Sequence, residues 1–168
     1  ESIFPNGLKD LTQYYFDKAD NDLLAQISKL DISSFSIREK IKTFILFRLQ
    51  FYDLNRESVR SLIGSSIVNI LDKNLLSTVK TVDIMWRSAG DKSTDYNFYS
   101  KRAILLGVYI STILYWINNN NKNEVANFID RRMTQIMNFE KVKKKTKSLF
   151  FEKNNPFFIL KNSLFRSR

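Results

Sequence analysis

The residues best suited to binding chemistry gather between Trp86 and Tyr99, where aromatic, hydroxyl, amide and carboxylate side chains follow one another closely. Polar and aromatic groups at this density are typical of a surface that binds a partner protein. The segment is therefore a candidate partner-binding site. The candidate partner-binding residues, which we expect to be partly exposed, are Trp86, Asp91, Asp95, Phe98 and Tyr99.

The same segment also has the pattern of a turn between two helices. Gly90 can adopt the left-handed conformation that ends a helix near Ser88. Ser93 or Thr94 can cap the following helix, and Asp95 then lies in its first turn, where a negative charge is stabilised. The residue types alone leave both interpretations open, a structural turn and a partner-binding surface.

Composition excludes several classes of function. The chain of 168 residues contains no cysteine and no histidine. This rules out disulfides, zinc sites with Cys or His ligands, and catalysis that depends on an imidazole. Carboxylates could still bind a metal, but no ExxH or DxDxD spacing is present to build such a site. We therefore expect no enzymatic activity, no metal and no cofactor.

Helix-forming residues dominate, with only four glycines and two prolines, so the sequence predicts an all-α fold. Ser36 and Glu39 have the spacing of a capping box at the start of the second helix. Residues recur at helical spacing, and the second helix is predicted to direct inward Ile41, Phe44, Ile45, Arg48, Leu49 and Tyr52. The predicted helices span residues 7–30, 36–52, 56–72, 75–88, 95–117 and 122–139.

The helix predicted over residues 95–117 is the most apolar part of the chain. Its opposite sides are both apolar, which is typical of a buried helix. With fifteen positions, the longest apolar run is too short to cross a membrane. One face is predicted at Ala103, Leu106, Ile110, Ile113 and Ile117, and the other at Phe98, Leu105, Tyr109, Thr112 and Trp116.

Most of the net charge of +10 lies near the end of the chain. From residue 141 onward there are nine Lys and Arg against one acid, a net charge of +8. The preceding part is near neutral, unlike a nucleic-acid-binding domain with a basic stripe. We predict three regions: a helical bundle (1–140), a basic linker (141–154) and an amphipathic helix (155–168).

The last of these regions has a wide apolar face with basic flanks, which suits the surface of an anionic membrane. Packing of the same face on the bundle or on a second copy of the chain is the alternative. The candidate membrane-binding residues are Phe157, Phe158, Leu160, Lys161, Leu164, Phe165 and Arg166.

The pattern W-x-x-x-G-D-x-S-T-D-x-N-x-Y, followed by x-[KR]-R-A-x-L, resembles the central signature of the Coq-nine family, lipid-binding accessory proteins of ubiquinone biosynthesis. The resemblance is close from Asp83 to Tyr109. The family usually has Trp where this chain has Phe98, and aromatic or apolar residues where it has Arg87 and Ser88. These differences affect the finer contacts of the partner surface.

This resemblance implies a TetR-like all-helical fold, with a helix-turn-helix head that would precede Ile3. It also implies a pocket for a quinone-precursor lipid, service to the di-iron hydroxylase of the pathway, and an amphipathic C-terminal helix. The expected location is cytoplasmic and peripheral at the inner membrane, on the matrix side in a mitochondrion. Pairing of two copies is left open. The candidate lipid-binding residues are Phe44, Leu62, Ile63, Leu106, Tyr109, Ile110 and Ile113.

Two functions are alternatives to the presentation of a lipid to a partner protein. The chain could be the effector-binding domain of a TetR-type transcription regulator, which would require a basic recognition helix upstream. It could also be an enzyme, an interpretation that the absence of His and Cys disfavours. Lipid presentation to a partner is the function that we predict.

Overall fold

A computed structural model of the protein describes residues 4–66, 75–94 and 96–135, and within these ranges the ordered elements are all helices. The side chains of Leu8, Leu75, Tyr96 and residues 62–66 lie outside the description. The predicted all-α class is confirmed. The helices are α1 (Leu8–Ser28), α2 (Ile37–Asp53), α3 (Arg56–Ser66), α4 (Leu75–Ser88), α5 (Tyr96–Ile117) and α6 (residues 122–135).

Local sequence signals set several helix ends. The capping box is present, since Ser36 Oγ accepts from the Glu39 backbone N–H while the Glu39 carboxylate accepts from the Ser36 N–H. Asn121 Oδ1 accepts from the backbone N–H groups of Asn123 and Glu124 and so caps α6. Gly90 has a φ of 96° directly after α4, which confirms the predicted left-handed glycine.

The core lies where α1, α2, α4 and α5 meet, with α1 packed on α2 and α4, and α4 on α5. On α2 every predicted inward residue is buried. On α1, Ala19 and Leu23 are fully buried, whereas Leu11 and Leu24 remain almost half exposed. The buried α2 residues that had been predicted are Ile41, Phe44, Ile45, Arg48, Leu49 and Tyr52.

The predicted burial of α5 on all sides is wrong. The buried face carries Leu105, Tyr109, Thr112 and Trp116. On the other predicted face only Ile117 is buried, while Ala103 is exposed and the remaining residues are half-buried. Hydropathy alone could not choose between the two faces, because both consist of large apolar residues. The half-buried residues of that face are Leu106, Ile110 and Ile113.

A buried polar cluster, the Arg48 network, joins the four core helices and consists of Asp20, Arg48, Tyr52, Thr81 and Tyr109. Arg48 Nη1 lies 2.9 Å from Asp20 Oδ1, and both side chains are at most 3% exposed. Arg48 Nε donates to the Tyr52 hydroxyl at 3.1 Å, and Thr81 Oγ1 donates to Asp20 Oδ1 at 2.7 Å. The Tyr109 hydroxyl lies 3.4 Å from that of Tyr52. Burial raises the pKa of Tyr109 well above its usual value.

Several predictions fall on residues that the structure does not describe. These include the end of the third predicted helix beyond Ser66, the cap of α5 at Asp95, the basic linker and the amphipathic C-terminal helix. The TetR-like arrangement also stays a prediction. Among the described residues, no helix is both long and apolar enough to cross a membrane. Within the same residues, no cluster of acidic side chains could hold a metal ion.

Candidate functional site

The polar and aromatic residues singled out in the sequence lie where α4 turns into α5, and we call residues 83–102 the α4–α5 corner. Its backbone reverses direction at Gly90, whose N–H donates to Arg87 O at 2.9 Å. The Asp91 N–H then donates to Trp86 O at 3.0 Å. These two bonds satisfy carbonyls at the end of α4 and fix the start of the loop.

The Asp91 carboxylate is the acceptor around which the corner is built. It accepts from Lys101 Nζ at 2.7 Å, from Arg102 Nη1 at 3.1 Å and from the Ser93 hydroxyl. Burial acts to raise the pKa of Asp91, but hydrogen bonds from Lys101, Ser93 and Arg102 outweigh it and hold that pKa well below the usual value of 3.8. Asp91 is therefore ionised at neutral pH and ties the loop to α5.

Arg102 is the cation that joins this loop to α4. Its Nε donates to Asp83 Oδ1 at 2.7 Å, and its Nη1 donates to the Phe98 carbonyl at 3.1 Å. The guanidinium also lies 3.4 Å from the centroid of the Phe98 ring, a cation–π contact. With a side chain only 9% exposed, Arg102 bridges the carboxylates of Asp83 and Asp91 from inside the corner.

Trp86 closes the corner on the α4 side. Its indole Nε1 donates to Lys101 O at 3.0 Å, and the Lys101 ammonium lies 5.6 Å from the centroid of its ring. The residue is half-buried. Trp86 therefore both supports α5 and leaves part of its ring accessible.

The outer surface of the corner is aromatic and basic. Tyr99 is 70% exposed and packs edge-on against Phe98, with ring centroids 5.1 Å apart. Both rings help to line a cleft of about 300 Å³. An exposed tyrosine supported by a second ring is a common anchor at protein interfaces. The cleft is also lined by Arg87, Asp91, Lys92, Ser93, Thr94 and Arg102.

The structure brings four of the five predicted partner-binding residues into this corner. Trp86 and Phe98 are half-buried and Tyr99 is exposed, in agreement with the predicted partial exposure. The expected exposure of the Asp91 carboxylate is wrong, because its side chain is only 4% exposed and faces Lys101 and Arg102. Asp95 lies outside the described residues.

The predicted lipid-binding residues do not share one environment. Phe44 and Tyr109 are at most 1% exposed in the core. Leu106, Ile110 and Ile113 are half-buried on the outer face of α5. The side chains of Leu62 and Ile63 lie outside the description, so their role stays a prediction.

A second groove, of about 260 Å³, lies beside the C-terminal ends of α2 and α5 and the start of α6. The Arg56 guanidinium stacks on Trp116, with 4.4 Å to the ring centroid, and donates to the carbonyls of Trp116 and Asn119. Trp116 Nε1 in turn donates to Asp53 at 2.9 Å. Arg56 thus binds the end of α5 to α3, and sequence analysis had not singled it out.

Sequence analysis also missed the structural roles of Lys101 and Arg102. Both cations entered that analysis only as the [KR]-R pair of the family pattern. The signal that could have revealed them is the pair of basic residues ten and eleven positions after Asp91, across a glycine turn. Such a turn folds the start of α5 back beside the end of α4, so the cations meet the carboxylate.

The sequence of the α4–α5 corner is similar to that of known proteins. The model of the COQ9 family matches residues 71–140, a range that contains the whole corner. Ubiquinone biosynthesis protein COQ9, mitochondrial, of Bos taurus is 38% identical over 77 residues, which is 45% of this chain and 24% of the bovine protein. The Homo sapiens protein of that name is 36% identical over 69 residues, 40% of this chain and 22% of its own length.

A longer match covers most of the chain. The probable ubiquinone biosynthesis protein coq9, mitochondrial, of Dictyostelium discoideum is 26% identical over 144 residues, 80% of this chain and 47% of that protein. The matches thus span about a quarter to a half of these relatives. These matches support the resemblance to the COQ9 family that the central signature predicted.

Proposed function

We propose that this chain is a non-enzymatic accessory protein of ubiquinone biosynthesis that binds a quinone-precursor lipid and presents it to the di-iron hydroxylase of the pathway. The observation that carries the proposal is the α4–α5 corner, which lies inside the segment that matches the COQ9 family. Its base is fixed by internal ion pairs, and its outer surface exposes Tyr99 and Arg87. A rigid base with exposed aromatic and arginine side chains is the arrangement expected of a docking surface.

The pairing of both described carboxylates of the corner with cations supports a binding role. Asp91 is occupied by Lys101 and Arg102, so it has no proton to give or take near neutral pH. Asp83 is likewise paired with Arg87 and Arg102. These carboxylates stabilise the corner, and the docking would be made by the groups on its outer side.

The outer face of α5 supports the lipid part of the proposal. Leu106, Ile110 and Ile113 present half-exposed apolar surface on one side of a 22-residue helix. Each Å² of apolar surface that an isoprenoid chain removes from water contributes roughly 25 cal/mol to the free energy of binding. The apolar side chains along this face of α5 therefore offer a favourable binding surface for such a chain. The C-terminal residues predicted to bind an anionic membrane would keep the chain at the inner membrane. The relatives are named as mitochondrial proteins, which supports a mitochondrial location.

Docking is tested by replacing the exposed tyrosine. Tyr99→Ala should weaken binding of the di-iron hydroxylase from the same organism by about tenfold or more, the loss of a hot-spot side chain. Tyr14→Ala is the matched control, because Tyr14 is 56% exposed on α1. Binding would be measured by biolayer interferometry, with melting temperatures recorded for both variants. Equal affinities for the two variants would contradict docking at this corner.

Lipid binding is tested separately, by mass spectrometry of lipids extracted from the purified chain. We expect an isoprenoid quinone or its precursor to co-purify, and Ile110→Ser to reduce the amount recovered. Leu24→Ser is the control, since Leu24 is 44% exposed on α1 and was not predicted to touch lipid. A lipid-free wild-type chain that also fails to take up an added quinone precursor would contradict the lipid-binding half of the proposal.

A further inference from the structure

The charges of the α4–α5 corner are sorted by depth. The two described carboxylates face inward, since the side chains of Asp91 and Asp83 are 4% and 28% exposed. The cations that bind them extend outward, with Lys101 40% exposed and Arg87 66% exposed. Lys92, on the loop between the helices, is also exposed. Among the described residues of the corner there are four basic side chains and two carboxylates, and the most exposed of these groups are basic, so the described outer surface is positively charged.

The geometry of each ion pair explains this sorting. Arg87 Nε donates to Asp83 Oδ2 at 2.6 Å along one turn of α4, which leaves the outer side of the guanidinium in solvent. Arg102 occupies the inner side of both carboxylates. A carboxylate enclosed by cations contributes little to the outside potential, whereas an exposed guanidinium or ammonium contributes to it directly.

The cleft at this surface combines the positive charge with aromatic walls. Arg87 and Lys92 line it together with Phe98 and Tyr99. Its volume of about 300 Å³ is enough for one or two side chains of a partner. Arginine beside aromatic rings binds a carboxylate through charge-assisted hydrogen bonds while the rings contact apolar carbons.

We infer that the protein surface that docks at this corner is acidic, and that a carboxylate side chain of the partner enters the cleft between Arg87 and Tyr99. This inference rests on the proposed function and specifies the partner's chemistry. The partner chosen for the test is the di-iron hydroxylase from the same organism. Charge complementarity of this kind acts mainly on the association rate and on partner choice.

The experiment measures association rates and affinities of the hydroxylase for three charge-reversed variants of the full chain. Arg87→Glu and Lys92→Glu each reverse a charge at the cleft. Lys18→Glu reverses an exposed charge on α1 and serves as the matched control. Each would be measured at about 50 mM and about 300 mM salt, because the Debye length shortens over that range and screens exposed charges. Arg87→Gln separates loss of the charge from the repulsion that a new glutamate would feel beside Asp83.

For the wild-type chain and for Lys18→Glu we expect association that slows as salt is added. Arg87→Glu and Lys92→Glu should bind about tenfold more weakly at low salt and lose most of that salt dependence. If Arg87→Glu melts at a lower temperature than the wild-type chain, the conclusion is drawn from Lys92→Glu instead. Should both cleft variants bind as the wild-type chain does, the acidic partner surface is ruled out while docking itself stands. If the wild-type chain does not bind the hydroxylase, the proposed function fails and this inference fails with it.

Discussion

The Arg48 network and the α4–α5 corner are built from the same groups, arginines paired with aspartates, but at very different depths. Arg48 and Asp20 are at most 3% exposed, and their partners are hydroxyls and a carbonyl of the surrounding helices. At the corner, Arg102 is nearly buried while Lys101 and Arg87 reach solvent. The Arg48–Asp20 pair is shielded from solvent, whereas the ion pairs of the α4–α5 corner are shielded only on their inner side.

This difference separates stability from recognition within one small protein. A buried ion pair acts on folding, because removing one partner leaves a charge without compensation in a medium of low dielectric constant. A half-buried cluster can hold its own loop in place and still offer the outer side of its cations to another molecule. We therefore expect changes at Asp20 to act on stability and changes at Tyr99 to act on binding.

The largest effect should follow from breaking the interior pair. Asp20→Asn leaves the Arg48 charge without its counter-ion and should lower the free energy of unfolding by about 3–5 kcal/mol, measured by urea denaturation. Asp17→Asn is the control on the same helix. Asp17 pairs with Lys80 at 2.6 Å at the surface, and its loss should cost at most about 1 kcal/mol. If both variants lowered the free energy of unfolding equally, burial of the Arg48 network would add nothing to the contribution of an ion pair to stability.

An intermediate effect is expected at the corner. Asp91→Asn keeps the shape of the side chain but removes the charge that Lys101 and Arg102 bind, at a cost of about 1.5–3 kcal/mol. The same denaturation experiment measures it. If Asp91→Asn lowered the free energy of unfolding as much as Asp20→Asn does, the two clusters would contribute equally to stability, which would contradict the expected difference between them.

The same variant should change how stability depends on pH. Because the folded pKa of Asp91 is lowered from 3.8, the unfolded chain binds more protons in acid than the folded chain does. Stability from this carboxylate is therefore fully present near neutral pH and is lost as the pH falls through about 5 toward the lowered pKa. Thermal unfolding between about pH 7 and about pH 3 should show a shallower acid decline in Asp91→Asn than in the wild-type chain. An unchanged acid decline would contradict the assigned role of Asp91.

The smallest effect concerns the glycine that turns the chain at the corner. Gly90 has a φ of 96°, and a Cβ built on it would meet no atom within 4 Å. Gly90→Ala should therefore cost only the backbone strain of a left-handed residue, about 1–2 kcal/mol. Gly107→Ala is the matched control within α5, where a Cβ also has open space, and it should stabilise by about 0.5–1 kcal/mol. Both shifts are measurable as melting temperatures, and opposite signs are the expected result.

The features that sequence analysis predicted correctly depend on residues close together in the chain. The Ser36–Glu39 capping box and the left-handed Gly90 each follow from a few neighbouring residues, and both are present. The C-terminal end of α4 also agrees with prediction, because Ser88 ends it as expected. The resemblance to the COQ9 family was recognisable for a similar reason, since the signature from Trp86 to Tyr99 is one continuous segment.

What the sequence could not supply depends on tertiary packing. The prediction that both faces of α5 are buried was wrong: Leu106 and Leu105 are equally apolar, and only contact with α4 and α2 selects the Leu105 side. The exposure of Asp91 was wrong because its partners lie ten and eleven residues away on the next helix. The inward direction of Arg48 was predicted from its spacing, but its partner Asp20 on α1 could not be identified without the fold.

The central claim is that the α4–α5 corner is the docking surface of this protein. Amide hydrogen exchange, compared with and without the di-iron hydroxylase, tests it most directly because it locates contact without any substitution. We predict slower exchange in the loop at residues 89–94 and in the first turns of α5 when the hydroxylase is present, with α1 unchanged. Protection confined to α1 or α2, with no change in the corner, would contradict the claim.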